Sequence, residues 1–330
     1  MSQLTCAAKE VFKFGRFASD TQKYFVPTVS VICINKNHAK YLETNFLSVL
    51  SQDLDDFEFL VADGGSTDSS LEIISQYSFI QLLPGKDTSR NDGILRAVAA
   101  ARGRYVMITT STDGYLSRNW FRSAATELDN HPAISLVYGA SATMSEDGSL
   151  GNIVYPKVNN FYKQIPSKKW AETWLLRGIS KAYLPELNYC VRRDVIQRLI
   201  GKSMEFPQLD DIDPILRFHF QFNRLGYSPK YLPILANFGR SHENSQQLTD
   251  THYQFVKIYK DAWRTFQKGV IFGIYEFKQN EYASAVVSDY INSWVRVKLI
   301  LFYYFINPIV DSYLTFKHKL RYLIDGWVKR

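Results

Sequence analysis

The sequence predicts an α/β fold, with parallel strands and covering helices, followed by a helical, aromatic C-terminal extension. Three observations predict it. Short apolar runs at Val29–Ile34, Phe57–Val61, Phe79–Leu83 and Arg104–Thr109 are separated by segments of helical apolar period. The first two runs end in polar turns, Asn35-Lys36-Asn37 and Asp63-Gly64-Gly65-Ser66. From about Thr251 the strand signals stop and the chain turns helical and aromatic. Parallel strands joined by helices bind ligands beyond their carboxyl ends, so these polar turns are where a nucleotide is expected.

Composition bounds the reading. A chain of 330 residues can bury one large α/β domain plus an appendage, and 46% hydrophobic with 22% charged residues is globular. Cys6, Cys33 and Cys190 fall at unrelated spacing, which gives neither a disulfide framework nor a zinc site and points to a reducing compartment. The first residues lack the apolar core of a signal peptide, so a cytoplasmic location is expected. The net charge of +7 is concentrated in Ser293–Arg330, where seven Lys/Arg and two Asp leave +5. No nucleic-acid motif accompanies that basic, aromatic tail, so an anionic membrane surface is the expected contact and nucleic acid is not.

The elements follow in order. Residues 1–26 read as a leader. Tyr41, Phe46, Leu47, Val49 and Leu50 place an apolar face on a helix between the first two strands. Asp53–Asp56 is a solvated turn at the far end of the sheet. Thr67 or Asp68 caps a helix over Ser69–Tyr77. Pro84-Gly-Lys-Asp87 follows the third strand; it lacks the earlier glycine and the Gly-Lys-[Ser/Thr] order of a phosphate loop. Arg90, Asn91 and Asp92 open a helix that Gly103 ends. Arg90 with the helix N-terminus suits a pyrophosphate, and an ordinary charged first turn explains the same residues.

Further along, a helix begins near Ser117 and a strand covers Ala133–Tyr138, followed by a polar excursion from Ser141 to Lys168. Tyr155, Phe161, Tyr162, Trp170 and Trp174 can stack on a sugar or pack in a core. A strand at Leu187–Val191 and a helix from Arg192 precede Asp210, Asp211, Asp213 and Arg217. A last strand is read at Tyr231–Ala236.

VSVICINKNHAKYL followed by FLVADGGSTDSSLEII resembles glycosyltransferase family 2, enzymes of the GT-A (Rossmann-like) α/β/α sandwich fold. Asn37 and Asp63-Gly-Gly-Ser-Thr-Asp68 match the family's motifs, whereas Ile34 and Lys36 stand where Pro and Tyr are usual. The resemblance covers roughly residues 27–245, within a domain read as 27–250, ahead of the extension at 251–330. It implies an inverting transfer from a nucleoside diphosphate sugar, with a UDP-sugar as the leading expectation, to a glycan or lipid-linked acceptor. It implies nucleotide-sugar binding by Ile34, Asn35, Asn37, Asp63, Gly64, Asp87, Arg90, Thr112 and Asp113. Aligned on Tyr115-Leu116, the family's Asp-x-Asp-Asp motif has become Thr110-Ser-Thr-Asp113. Asp113, with His242, is then the candidate ligand set for Mg²⁺ or Mn²⁺, and metal dependence stays open. The spacing Asp211-Ile-Asp213…Arg217 matches the segment where the family keeps its general base, which falls on Asp211. Asp210, Asp213 and Arg217 orient the acceptor or the helix start, and Asp213-Pro214 alone suits a helix N-terminus.

The extension contains Leu299–Val310, twelve uncharged residues broken by Asn307-Pro308. A span needs about twenty, so this stretch lies in a membrane interface or packs on protein. The loss of two acids from the metal motif keeps a second reading open: a catalytically impaired protein that binds nucleotide or glycan as an assembly partner.

Overall fold

The computed structural model describes residues 26–88, 90–156, 162, 167, 170, 189–203 and 213–241. Nine strands among them form one sheet: β1 Val29–Asn35, β2 Phe57–Asp63, β3 Ile80–Pro84, β4 Tyr105–Thr110, β5 Gly114–Tyr115, β6 Ile134–Met144, β7 Leu150–Val154, β8 Tyr189–Arg192 and β9 Ser228–Arg240. Their order is β3-β2-β1-β4-β8-β6-β9-β5, with β7 on β6. β3, β2, β1 and β4 run parallel, β8 runs against both β4 and β6, and β9 is parallel to β6. The helices are α1 Ala39–Leu50, α2 Ser70–Ser75, α3 Arg90–Ala100, α4 Trp120–Asn130, α5 Arg193–Ser203 and α6 Asp213–Arg224.

The period of two in β1 explains the layers. Ile32 and Ile34 enter one core with Leu60, Ala62, Val106 and Ile108, covered by Ala97 and Val98 of α3, Val195 and Leu199 of α5, and Phe218 and Phe222 of α6. Val29, Val31 and Cys33 enter the other with Phe59, Val61 and Met107, covered by Leu42, Phe46 and Val49 of α1 and by Trp120, Phe121 and Leu128 of α4. Every residue of β1 is buried, as expected of a central parallel strand covered on both faces. Cys33 and Cys190 lie in the second core, where burial pushes both thiols well above their ordinary range.

The sequence expectation differs from the structure along the second half of the sheet. The polar excursion from Ser141 begins as a continuation of β6, which runs to Met144 and turns back as β7. β9 is far longer than the short strand expected, 13 residues from Ser228 to Arg240. Both extensions come from pairing: Ser141–Met144 lie beside Asn237–Arg240, and Ser141 Oγ donates to Asn237 Oδ1 at 2.5 Å. Polar residues that locally favour a loop are thereby held in a ladder. Of the leader expected at 1–26 all but residue 26, and the whole of the extension expected at 251–330, lie outside the described residues.

Candidate nucleotide site

The carboxyl ends of β1, β2 and β3 are tied into one polar cluster. Asp63 ends β2 directly beside Asn35 at the end of β1. Its side chain is buried and each oxygen accepts two hydrogen bonds. Oδ1 takes the N–H groups of Gly65 and Ser66 at 3.0 and 2.8 Å. Oδ2 takes Asn35 Nδ2 at 2.8 Å and Ser66 Oγ at 2.7 Å. Asn37 is in the left-handed region at φ 57°, and its Oδ1 accepts from the Thr67 N–H at 2.7 Å. Its own N–H donates to Ser66 Oγ at 2.9 Å, so the turns after β1 and β2 brace each other. Asp68 accepts from the N–H of Ala39 through Oδ2 and of Ser70 through Oδ1, standing at the starts of α1 and α2. Burial pushes its carboxyl up, but the hydrogen bonds from Ser70 and Ala39 outweigh this and hold it below its ordinary value.

Asp87 joins the cluster from β3. Its carboxylate is held in a fork by Arg96 of α3, Nη1 to Oδ1 at 2.5 Å and Nη2 to Oδ2 at 3.0 Å. Arg96 Nη2 also donates to the Asp63 carbonyl at 3.2 Å, and Lys36 Nζ donates to the Asp87 carbonyl at 2.9 Å. Glycine makes the close approach available: a Cβ on Gly93 would lie 3.0 Å from Asp87 Oδ2, and one on Gly64 3.1 Å from it. Sequence reasoning missed Arg96. The local signal was Gly93, one helical turn before it on the same face.

A second cluster lies on the turn between β4 and β5, joined to the first where the Ser111 N–H donates to the Ile34 carbonyl at 3.0 Å. Asp113 Oδ2 accepts from Thr110 Oγ1 at 2.8 Å, and Oδ1 accepts from the Arg240 N–H at 3.0 Å. Thr112 Oγ1 lies 3.0 Å from Thr110 Oγ1. The Arg240 side chain closes over this turn. Nε donates to the Thr112 carbonyl at 3.2 Å, and Nη1 to the Ser145 and Glu146 carbonyls at 3.2 and 3.3 Å. Its Cζ stands 5.3 Å from the Tyr41 ring centre and 5.6 Å from that of Phe238. Sequence reasoning missed Arg240 too.

The structure thus brings Asn35, Asn37, Asp63, Gly64 and Asp87 together, with Ile34 buried in the core beneath them. Arg90 opens α3 beside this cluster, and Thr112 and Asp113 form the adjoining one. The aromatics read as sugar platforms divide: Trp170 is buried, 4.9 Å edge-on from Tyr162, while Tyr155 is exposed. Asp210, Asp211 and His242 lie outside the described residues, as do Phe161 and Trp174. Asp213 begins α6 as expected of a helix start. Among the described residues no group of three or more His, Cys, Asp and Glu is placed to hold a metal ion. Asp113 is the one acid in Thr110–Asp113, and both its oxygens already accept protein donors.

Residues 30–180 match the family described as glycosyl transferase family 2. This match takes in a little under half of the chain, and the likeness is to that family's domain. A curated relative, the PGL/p-HBAD biosynthesis glycosyltransferase of Mycobacterium bovis, is 29% identical over 118 residues, 34% of this chain and 46% of the relative. The chain therefore spans about half the length of the curated relatives of that name. S. aureus TarS 1–349 superposes with a TM-score of 0.51 at 16% identity, covering 80% of this chain and 71% of that one. The mannosyltransferase PcManGT of Pyrobaculum calidifontis, solved with GDP-Man and Mn²⁺, gives 0.50 at 16% identity over 91% and 81%. At such identities the likeness is one of fold, and the described sheet and helices have the GT-A, Rossmann-like architecture.

Proposed function

We propose that the chain is an inverting glycosyltransferase that moves a sugar from a nucleoside diphosphate sugar to a glycan or lipid-linked acceptor in cell-surface polysaccharide synthesis. The observation that carries this reading is the cluster of Asn35, Asn37, Asp63, Gly64 and Asp87 beyond the carboxyl ends of three parallel strands, where α/β sheets take nucleotides. UDP-sugars are the first donors to test, with Asp63 and Asp87 assigned to the base side of the donor. Relatives named for PGL/p-HBAD biosynthesis, teichuronic acid biosynthesis and chondroitin synthesis support the acceptor class. We place the protein in the cytoplasm, at the inner face of the membrane, on the basic aromatic composition of residues 251–330.

In this mechanism the acceptor hydroxyl attacks the anomeric carbon from the face opposite the diphosphate. The new C–O bond forms as the old one breaks, the bonding pair leaves with the nucleoside diphosphate, and the configuration inverts. Asp211 takes the hydroxyl proton. Asp210, Asp213 and Arg217 are assigned the orientation of the acceptor or of the helix start.

The test is turnover of a panel of UDP- and GDP-sugars with lipid-linked glycan acceptors. Asp211→Asn is expected to lower kcat by about a hundredfold or more. Full transfer by that variant would remove Asp211 from the base role. The second reading, a nucleotide-binding assembly partner, is favoured by the engagement of Asp113 within the protein. It predicts nucleotide binding with no turnover of any donor.

A further inference from the structure

In this fold a carboxylate cluster at the end of β4 is where a divalent ion would face the donor's diphosphate, and here that turn is closed differently. Thr110 and Thr112 stand where the family's motif has its first two acids. The remaining carboxylate, Asp113, accepts from Thr110 Oγ1 and from the main-chain N–H of Arg240. A cation is already built in: Arg240 is 8% exposed, with three donors spent on the Thr112, Ser145 and Glu146 carbonyls and its plane set against Tyr41 and Phe238. Among the described residues of this turn, one carboxylate beside one guanidinium leaves no net negative charge to attract a dication. Mg²⁺ and Mn²⁺ are held by carboxylates together with substrate phosphates, and neutral hydroxyls do not replace the lost charge. These residues do not fit a divalent metal centre.

The charge of a leaving diphosphate must still be met. Two cations stand at the same end of the sheet. Lys36 follows β1 with an exposed side chain, and its Nζ lies on the Asp87 carbonyl, over Gly64. Arg90 opens α3, at the end of the helix where the peptide dipole adds to its charge. We propose that this chain binds its nucleoside diphosphate without a divalent ion: Arg240 and Asp113 lock the turn, and Lys36 and Arg90 meet the diphosphate. The inference rests on the nucleotide-sugar reading above.

Calorimetric titration of the full chain with UDP and with GDP, first in chelator and then in excess Mn²⁺, tests it directly. The Kd is expected to agree within about twofold between the two buffers. Tightening by about tenfold or more in Mn²⁺ would overturn metal independence while leaving the donor reading intact. Binding of neither nucleotide in either buffer would instead overturn the donor reading and this inference with it. Lys36→Met, at an exposed position, is expected to weaken the diphosphate about fivefold or more in chelator at unchanged Tm. An unchanged Kd would remove Lys36 from the site. Asp113→Ala separates a lock from a metal ligand: in metal-free buffer a lock loses Tm by a few degrees, about 2–4 °C. A Tm unchanged or raised in that buffer would mean that Asp113 is held in reserve for an ion, against the proposal.

Discussion

The two halves of the cleft use a carboxylate at a strand end in different ways. In the β1–β3 half, Asp63 gathers donors from its own turn and from the neighbouring strand, Gly65, Ser66 and Asn35. In the β4–β9 half, Asp113 is closed by a residue 127 positions later, the N–H of Arg240. The first is a local motif, a carboxylate curling back on the N–H groups that follow it. The second exists only once β9 has been laid against β6 and has carried Arg240 to the turn. A shared chemistry thus has one half that depends on short-range sequence and one that depends on tertiary pairing.

The largest expected effect breaks the local half. Asp63→Ala removes the acceptor of four hydrogen bonds in a buried place, strands two backbone N–H groups and leaves Asn35 Nδ2 only its longer bond to Ser66 Oγ at 3.2 Å. Unfolding free energy should fall by about 3 kcal/mol. Asp63→Asn keeps an acceptor for Gly65 and Ser66 but sets an amide against Asn35, so roughly half of that loss is expected. Chemical denaturation measures both. If Asp63→Asn loses nucleotide binding with stability unchanged, Asp63 serves the ligand first and the turn second.

That contrast explains what was legible. The β1–α1–β2 unit and the Asp63–Asp68 turn were readable because periodicity and turn chemistry act within a few residues. The parallel sheet and its helical layers followed from the same local signals. β5 was missed because two residues carry no period, and β7 because each of its residues is exposed and its run includes Gly151 and Asn152. The length of β9 was missed because Pro229 and Pro233 interrupt its pattern while β6 still pairs with it through register shifts. Among the site residues, Asp87 was named but not its partner: a lone arginine in a helix reads as a solvated side chain until α3 is packed on the sheet. Arg240 had no local signal at all.

A middle-sized effect tests whether Arg96 unites the β2 and β3 ends. Arg96→Met leaves the Asp87 carboxylate, 6% exposed, without its fork, and the loss should be about 2 kcal/mol because the arginine itself is 28% exposed. Gly85→Ala reaches the same contact from the other side, since its Cβ would overlap the Arg96 guanidinium. If both act through one contact, the double variant falls short of the summed losses by more than the roughly 0.5 kcal/mol allowed for independent sites. Additive losses would mean that Arg96 is not the common link between the β2 and β3 ends.

The smallest effect concerns Asp68, which closes the local half at its solvent edge. Its carboxyl is held below its ordinary value because hydrogen bonds from Ser70 and Ala39 outweigh the burial that pushes it up. A depressed folded value means that the ionised group favours the native state. Its contribution is fully present above the carboxyl's unfolded value and is lost as pH falls through the lower, folded one. Asp68→Asn is therefore expected to cost about 0.5 kcal/mol near neutrality, a modest figure because the side chain is exposed and screened. Urea unfolding at a series of pH values should show the wild type and the variant converging below the ordinary carboxylate range. A gap that stays constant with pH would show that shape and hydrogen bonding, not charge, tie α1 to α2 at this edge. The β1–β3 half would then be electrostatically neutral at its rim, with Lys36 and Arg90 as the charges facing a ligand.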